Sequence, residues 1–385
     1  MAYILLSDQV GGAERQMLAL AERLARERFA PELIVRSPTS AHVGRAMRAG
    51  IPVRATGKAT GDPREVTLRS RAATALSLLR AVRAGRYDVI DAWLYPADVA
   101  MAMARPFAHR PVVISGRRNL DAHDRFGALE RLIEAAARSQ TDTVVANSTA
   151  AAQHAIATQG IDPARIRVIR NGVEIPDPIS AEERAARRRT LGRGPDEIVV
   201  GCVASYTPTK RLDLLIDAFS VVARDEPNAM LELVGEGPLR GRLEAQVAAL
   251  GLDRRICLHG FEPDPERLYP AFDIVALSSD REGLPNALLE AGAAGRAIVS
   301  TAAGGAGEIV TDGETGLLVP TGDGAALARG LARLVGDHQL RERLGQAIRP
   351  SVERDFGMDR FVAEFSSLYE ERVEARQRRP SQATG

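Results

Sequence analysis

Residues 272–301, FDIVALSSDREGLPNALLEAGAAGRAIVST, read as a strand, a loop, a helix and a second strand. FDIVALS and AIVST are too short and too evenly apolar for helices; such runs belong to a parallel sheet buried on both faces. A helix is expected over 285–293, entered through Pro285, whose missing N–H costs nothing in a first helical turn. The loop after the first strand then falls at the carboxyl end of the sheet, where open α/β sheets bind ligands.

The same pattern extends outward in both directions. EIVVGCVAS, AMLELVG and ICLHG precede it as strands, with helices expected over 212–224 and 239–250. Before residue 175, AYILLS, ELIVR, YDVIDA, PVVIS, DTVVAN and IRVIR repeat the strand signature. Helices are expected there over 13–28, 65–84 and 148–158, the last capped by Ser148. Strand–helix alternation through two halves predicts an α/β chain of two Rossmann-like, doubly wound domains. The expected division is 1–173, a Pro-rich and charged linker over 174–195, 196–350, and a C-terminal helix and tail over 351–385. The hinge is placed at Asn171 and Gly172, a dipeptide suited to positive φ. Phe356, Phe361, Phe365 and Tyr369 form one stripe of a helix expected over 351–378.

With 385 residues, 45% hydrophobic and 26% charged, the composition excludes disordered, collagen-like and disulfide-scaffold chains. The two cysteines, Cys202 and Cys257, sit in strand-like runs without metal-ligand spacing and are expected to be buried thiols of a reducing compartment. The first residues lack the basic segment of a signal peptide, and no apolar stretch approaches the ~20 residues of a membrane-spanning helix. A cytoplasmic protein is expected. Residues 1–175 carry 25 bases and 17 acids, whereas 176–385 carry 26 and 33. The basic half suits an anionic partner: a phosphate-bearing acceptor, or the inner face of a membrane to which the protein would be peripheral. Nucleic acid fits poorly, because the bases are spread over several helices and aromatics are only 4%.

Glu282 and Glu290 stand eight residues apart, but so do 14/22, 174/182 and 236/244, so spacing alone decides nothing. Context singles out the fourth pair, since it follows a strand and brackets a helix amino end. That end offers N–H groups at Leu284, Asn286 and Ala287 to a diphosphate. Eight residues of helix span about 12 Å, the reach from a sugar hydroxyl to a ribose. No Asp-x-Asp occurs and the six histidines show no ligand spacing, so neither a metal nor a cofactor is expected. Trp93 and Tyr95 form an aromatic pair after a strand, suited equally to a cleft wall or to packing.

The segment 280–320 resembles the signature of retaining glycosyltransferase family 4, which has the two-domain GT-B fold. VGGAER, VIRNGVEIP, KRLDLLIDAF, LVGEGPL, ALSSDREG and TGLLVP extend the likeness over essentially the full length. The resemblance implies two domains facing across a cleft, acceptor on the first and donor on the second, with the C-terminal helix returning to the first. It implies retaining transfer of a sugar from a nucleotide-diphosphate donor to a saccharide, lipid-linked or small-molecule hydroxyl, in polysaccharide, glycolipid or other glycoconjugate biosynthesis. Glu282 would bind the transferred sugar; Gly283, Leu284, Pro285 and Asn286 would lie near sugar and diphosphate, and Glu290 at the ribose. Gly235 and Phe261 would lie against the base. Lys210 would stabilise the leaving diphosphate, with Gly12, Ser205 and Arg211 nearby. Gly11, Trp93, Tyr95, Arg117, Arg118 and His123 would line the acceptor side.

Two positions depart from the family pattern. Ser205 stands where an Arg is common, and Gly116-Arg117-Arg118-Asn119 replaces a His-bearing segment. Two alternatives therefore stay open, a sugar-nucleotide epimerase on the same fold and a non-catalytic subunit that binds nucleotide sugar.

Overall fold

The apolar runs form two sheets in which every paired strand is parallel. The first contains β1 (Ala2–Leu5), β2 (Glu32–Val35), β3 (Val53–Ala55), β4 (Val89–Trp93), β5 (Val112–Arg117), β6 (Thr143–Ala146) and β7 (Ile166–Val168). Their order is β3-β2-β1-β4-β5-β6-β7. The second contains β8 (Ile198–Val203), β9 (Ala229–Val234), β10 (Ile256–Leu258), β11 (Ile274–Leu277), β12 (Ala297–Thr301) and β13 (Leu317–Val319), ordered β10-β9-β8-β11-β12-β13. Each sheet winds outward in one direction and then the other. The reversal lies between β1 and β4 in the first and between β8 and β11 in the second, and crevices open at such switch points.

This computed structural model describes residues 1–6, 11–38, 41–57, 68–93, 105, 111–118, 120 and 135–378. Two compact units make up the chain. Unit 1 is Met1–Gly172 with Asp359–Gly385, and unit 2 is Val173–Met358. The helices are α1 (Gly12–Arg23), α2 (Ala41–Arg48), α3 (Leu68–Gly85), α4 (Thr149–Gln159), α5 (Ala181–Thr190), α6 (Leu212–Asp225), α7 (Arg240–Ala249), α8 (Asn286–Ala293), α9 (Gly324–Gly336), α10 (His338–Phe356) and α11 (Met358–Gln377). Ser148 caps α4 as expected, accepting from the Ala151 N–H at 2.9 Å.

In unit 2 both sheet faces are covered. Leu215, Phe219, Leu327 and Leu331 of α6 and α9 pack on one side, and Leu288, Ile348, Val352 and Phe356 of α8 and α10 on the other. Burial on both faces is why the strands read as unbroken apolar runs.

The structure departs from the sequence reading in five places. The stretch 174–195 holds a helix, α5, closed by a capping box between Ser180 and Glu183. Pro285 is the N-cap of α8 rather than a member of its first turn. Neither Asn171 nor Gly172 takes positive φ; Gly172 is instead held by both ends of the Gln16 amide, at 2.7 and 3.0 Å. No single helix runs over 351–378, because Gly357 ends α10 with an extended backbone. Phe356 thus packs in unit 2, while Phe361, Phe365 and Tyr369 of α11 pack on Trp93 and Tyr3 of unit 1. Finally, Cys202 is buried but Cys257 only half-buried, with Arg193 Nη2 2.9 Å from its Sγ. Among the described residues no helix is long and apolar enough to cross a membrane.

Candidate functional site

The carboxyl ends of β8 and β11 flank the switch point of unit 2, and the loops leaving them meet there. After β8 the chain makes a short 3-10 turn at Pro208–Lys210, and α6 follows. After β11 comes the Ser278–Pro285 loop, and α8 follows. Lys210 Nζ lies 2.7 Å from Glu282 Oε1, and the Ser279 hydroxyl donates to the same oxygen at 2.7 Å. The Ser278 hydroxyl donates to the carbonyls of Lys210 and Arg211 at 2.8 and 2.9 Å, and the Asp280 N–H donates to the Thr209 carbonyl at 2.9 Å. The two loops are thereby fixed to each other. Thr301 of β12 holds the Ser279 carbonyl at 2.6 Å, and the Gly305 N–H holds that of Gly283 at 2.9 Å.

Arg211 has φ +49, a left-handed conformation uncommon outside glycine. Its guanidinium reaches Asp213 at 3.2 Å and Asp280 at 3.3 Å, and the bond to Asp213 raises its pKa. Cys202, on β8, has its thiol pushed up to about 12 by burial, with Lys210 pulling it down and Glu282 up. It is a neutral packing group.

Glu290 of α8 accepts from the Tyr269 phenol at 2.8 Å. Leu284 and Asn286, expected as free donors at the helix amino end, both have partners, and Leu284 is buried. Gly235 has φ +149, and a Cβ there would stand 2.0 Å from the Ala204 carbonyl oxygen. Its N–H donates to the Gly260 carbonyl, beside Phe261, which is 53% exposed. Tyr206, fully buried, donates to the carbonyls of Leu233 and His259 and so fixes the strand ends leading there. Ser205 is exposed; its carbonyl accepts from the Thr207 N–H at 2.9 Å, and among the described residues its hydroxyl makes only a 3.5 Å contact with that of Thr207.

Unit 1 corrects several expectations. Trp93 is fully buried, stacked under the Arg118 guanidinium at 3.5 Å and against Phe361 and Phe365, so it lines no cleft. Arg118 is itself buried, bonds Asn171 Oδ1 at 3.0 Å, and has its pKa lowered to about 10 by that burial. It serves the interior of unit 1 rather than a loop open to an acceptor. Arg117 is half-buried and bonds Gln159 at 2.8 Å and Ser115 at 2.5 Å. Tyr95 and His123 lie outside the described residues.

Gly11 precedes α1, and Gly12 opens it. Gly11 has φ −99, open to any residue, but a Cβ there would stand 2.6 Å from Glu14 Oε2. The space is taken by a carboxylate, not left for substrate. Sequence reasoning passed over Glu14, which reads as an ordinary first-turn acid. Among the described residues no group of three His, Cys, Asp or Glu is arranged to hold a metal.

Comparison with known proteins follows the same division. The family model "Glycosyltransferase Family 4" matches residues 10–175, and "Glycosyl transferases group 1" matches 183–350. D-inositol 3-phosphate glycosyltransferase of Salinispora arenicola is 32% identical over 96% of this chain and 89% of its own. Its Salinispora tropica counterpart is 31% identical over 95% and 82%. Among solved structures, Anabaena HepE in complex with UDP and glucose superposes with a TM-score of 0.83 at 24% identity, covering 96% and 99% of the two chains. Sucrose-phosphate synthase of Thermosynechococcus elongatus gives 0.81 at 22%, covering 97% and 99%. These two structural likenesses establish the GT-B fold.

Proposed function

The chain belongs to glycosyltransferase family 4, the group 1 glycosyl transferases, and on that premise we propose that unit 2 binds the nucleotide-sugar donor around Lys210 and Glu282 while unit 1 binds the acceptor. The enzyme transfers a sugar from a nucleotide-diphosphate donor to an acceptor hydroxyl with retention of anomeric configuration. The epimerase and the non-catalytic subunit are not favoured, since relatives over nearly the full length are named glycosyltransferases.

One observation carries the site assignment: the cation and the carboxylate at 2.7 Å on the two strands that flank the switch point. In the proposed complex Lys210 turns to the diphosphate, and Glu282 takes hydroxyls of the sugar. Arg211 adds a second cation where Ser205 supplies none. Glu290 meets the ribose, and Gly235 with the Gly260–Phe261 turn meets the base. Gly283, Pro285 and Asn286 line the sugar and diphosphate. Since HepE holds UDP and UDP-glucose, a uridine diphosphate sugar is the proposed donor.

The acceptor oxygen bonds to the anomeric carbon on the face the diphosphate leaves, and the acceptor proton passes to the departing phosphate oxygen. Charge stabilisation and orientation are what the side chains contribute. No metal is required in this scheme, because Lys210 and Arg211 meet the charge that a metal would meet.

The basic first half supports a phosphate-bearing acceptor or peripheral contact with an anionic membrane face inside the cell. On α2, Arg45 and Arg48 flank Met47, which is 67% exposed. A thermal-shift panel of UDP-, GDP-, ADP- and TDP-sugars tests the donor reading. A preferred donor must raise the melting temperature of the wild type, and much less that of Lys210→Ala. Equal shifts in both would refute the site.

A further inference from the structure

Four acids are buried among the described residues: Glu14, Asp91, Glu232 and Glu282. Three are partnered. Asp91 accepts from Tyr369, Glu232 from Arg193 and His259, and Glu282 from Lys210 and Ser279. Glu14 is 5% exposed and has neither a hydrogen bond nor an ion pair among the described residues.

Its position matters as much as its isolation. Glu14 lies in the first turn of α1, directly after β1, and β1 with β4 flanks the switch point of unit 1. Unit 2 carries Lys210 and Glu282 after the two strands at its own switch point, so the same place in unit 1 is where a ligand is expected. The side chain folds back over the helix amino end, with Oε2 where a Gly11 Cβ would collide.

A capping role is the competing account, and α5 shows what it looks like. There Glu183, at the same helical position, accepts from the Ser180 N–H at 2.9 Å and completes a capping box. Glu14 makes no such bond, and the N-cap Gly11 offers no side chain in return. The helix dipole favours an acid in the first turn, but an exposed acid would gain that without desolvation. With the side chain 5% exposed and its oxygens bonded to no described residue, the carboxylate keeps its lone pairs for a hydroxyl donor.

We propose that Glu14 is an acceptor-binding residue, its carboxylate accepting a hydrogen bond from a hydroxyl of a neutral polyol part of the acceptor. A carboxylate offers only lone pairs, so it takes O–H donors and repels a phosphate at that spot. Gly11 is glycine to leave room for it. The inference rests on the reading of unit 1 as the acceptor unit. In the transfer step the acceptor C–O–H oxygen bonds to the anomeric carbon, the bond from that carbon to the diphosphate breaks, and the proton leaves with the diphosphate. Glu14 orients the acceptor and keeps no proton.

Two variants separate the accounts. Glu14→Gln keeps the shape and removes the charge. Gly11→Ala keeps the charge but displaces the carboxylate on a backbone that tolerates alanine. The first measurement uses no ligand: Glu14→Gln should melt at or above the wild-type temperature, and a fall of more than about 3 °C would make Glu14 a structural cap and overturn the proposal. The second uses the donor selected by the nucleotide-sugar panel, with myo-inositol and methyl α-glucoside as acceptors. In both variants the acceptor KM should rise about tenfold or more, while hydrolysis of the donor by water and its thermal shift stay at wild-type values. An unchanged acceptor KM overturns the proposal. Should no nucleotide sugar stabilise the wild type, the donor reading fails, and the ligand-free comparison still decides the role of Glu14.

Discussion

Lys210 Nζ stands 2.7 Å from Glu282 Oε1 across the mouth of two parallel strands, with side chains 25% and 10% exposed. The pair is preorganised without a donor, since neighbouring carbonyls and hydroxyls fix both loops. Lys210→Ala and Glu282→Ala should each lower transfer by about 100-fold or more, the usual loss when one group stabilising developing charge is removed. Steady-state rates with the preferred donor check this, and near-normal turnover in both variants would dismiss the assignment.

Ser279 offers a finer test. Its hydroxyl is the second donor on Glu282 Oε1, at 2.7 Å and fully buried. In the proposed complex Glu282 touches the sugar and not the nucleotide. Ser279→Ala should therefore weaken binding of the UDP-sugar by about ten- to a hundredfold, the worth of one hydrogen bond to a charged group. UDP itself should bind as before. Calorimetric titration with the two ligands separates these outcomes, and an equal loss for both would make Ser279 merely structural.

Much of this was legible from residue order alone. Strands buried on both faces announce themselves as short apolar runs, and the loop after FDIVALS locates Glu282 from the sequence alone. The edge strands β3 and β13 are not legible in the sequence: each is only three residues long, and β3 has no fully buried residue. The break at Gly357 was hidden because Phe356, Phe361, Phe365 and Tyr369 keep a helical spacing across it. Trp93 ends a strand, where an aromatic reads equally as cleft wall or core; α11, some 270 residues later in the chain, decides for core. Glu14 stood in a spacing-eight pair with no meaning of its own, and its burial without a partner is visible only in three dimensions.

Gly235 and Gly260 face each other through one backbone hydrogen bond but should respond oppositely to alanine. At Gly235 the φ of +149 and a carbonyl oxygen 2.0 Å from the new Cβ leave no room. Gly235→Ala should cost on the order of 3 kcal/mol, through strain at a glycine-only conformation. At Gly260 nothing lies within 4 Å of the added methyl, so Gly260→Ala should fold normally and alter only donor affinity. Urea denaturation of the two variants checks the contrast; equal stability would show that the β9 end rearranges freely.

Asp91 couples the stability of unit 1 to pH. It is fully buried on β4, accepts from the Tyr369 hydroxyl at 2.6 Å, and has the Tyr3 hydroxyl 3.1 Å beyond that. Burial raises its pKa to about 6, against the opposing pull of Tyr369, Trp93 and the Arg118 charge. A carboxyl whose folded pKa lies above its unfolded 3.8 favours folding when protonated. That contribution is complete below pH 3.8 and is lost as pH rises through about 6. Two pH units correspond to about 3 kcal/mol. Asp91→Asn mimics the protonated form at every pH. Its melting temperature should match the wild type near pH 3.5, already exceed it at pH 5, and exceed it by several degrees at pH 7.5. A difference that does not change between those values would mean that Asp91 stays in one protonation state throughout.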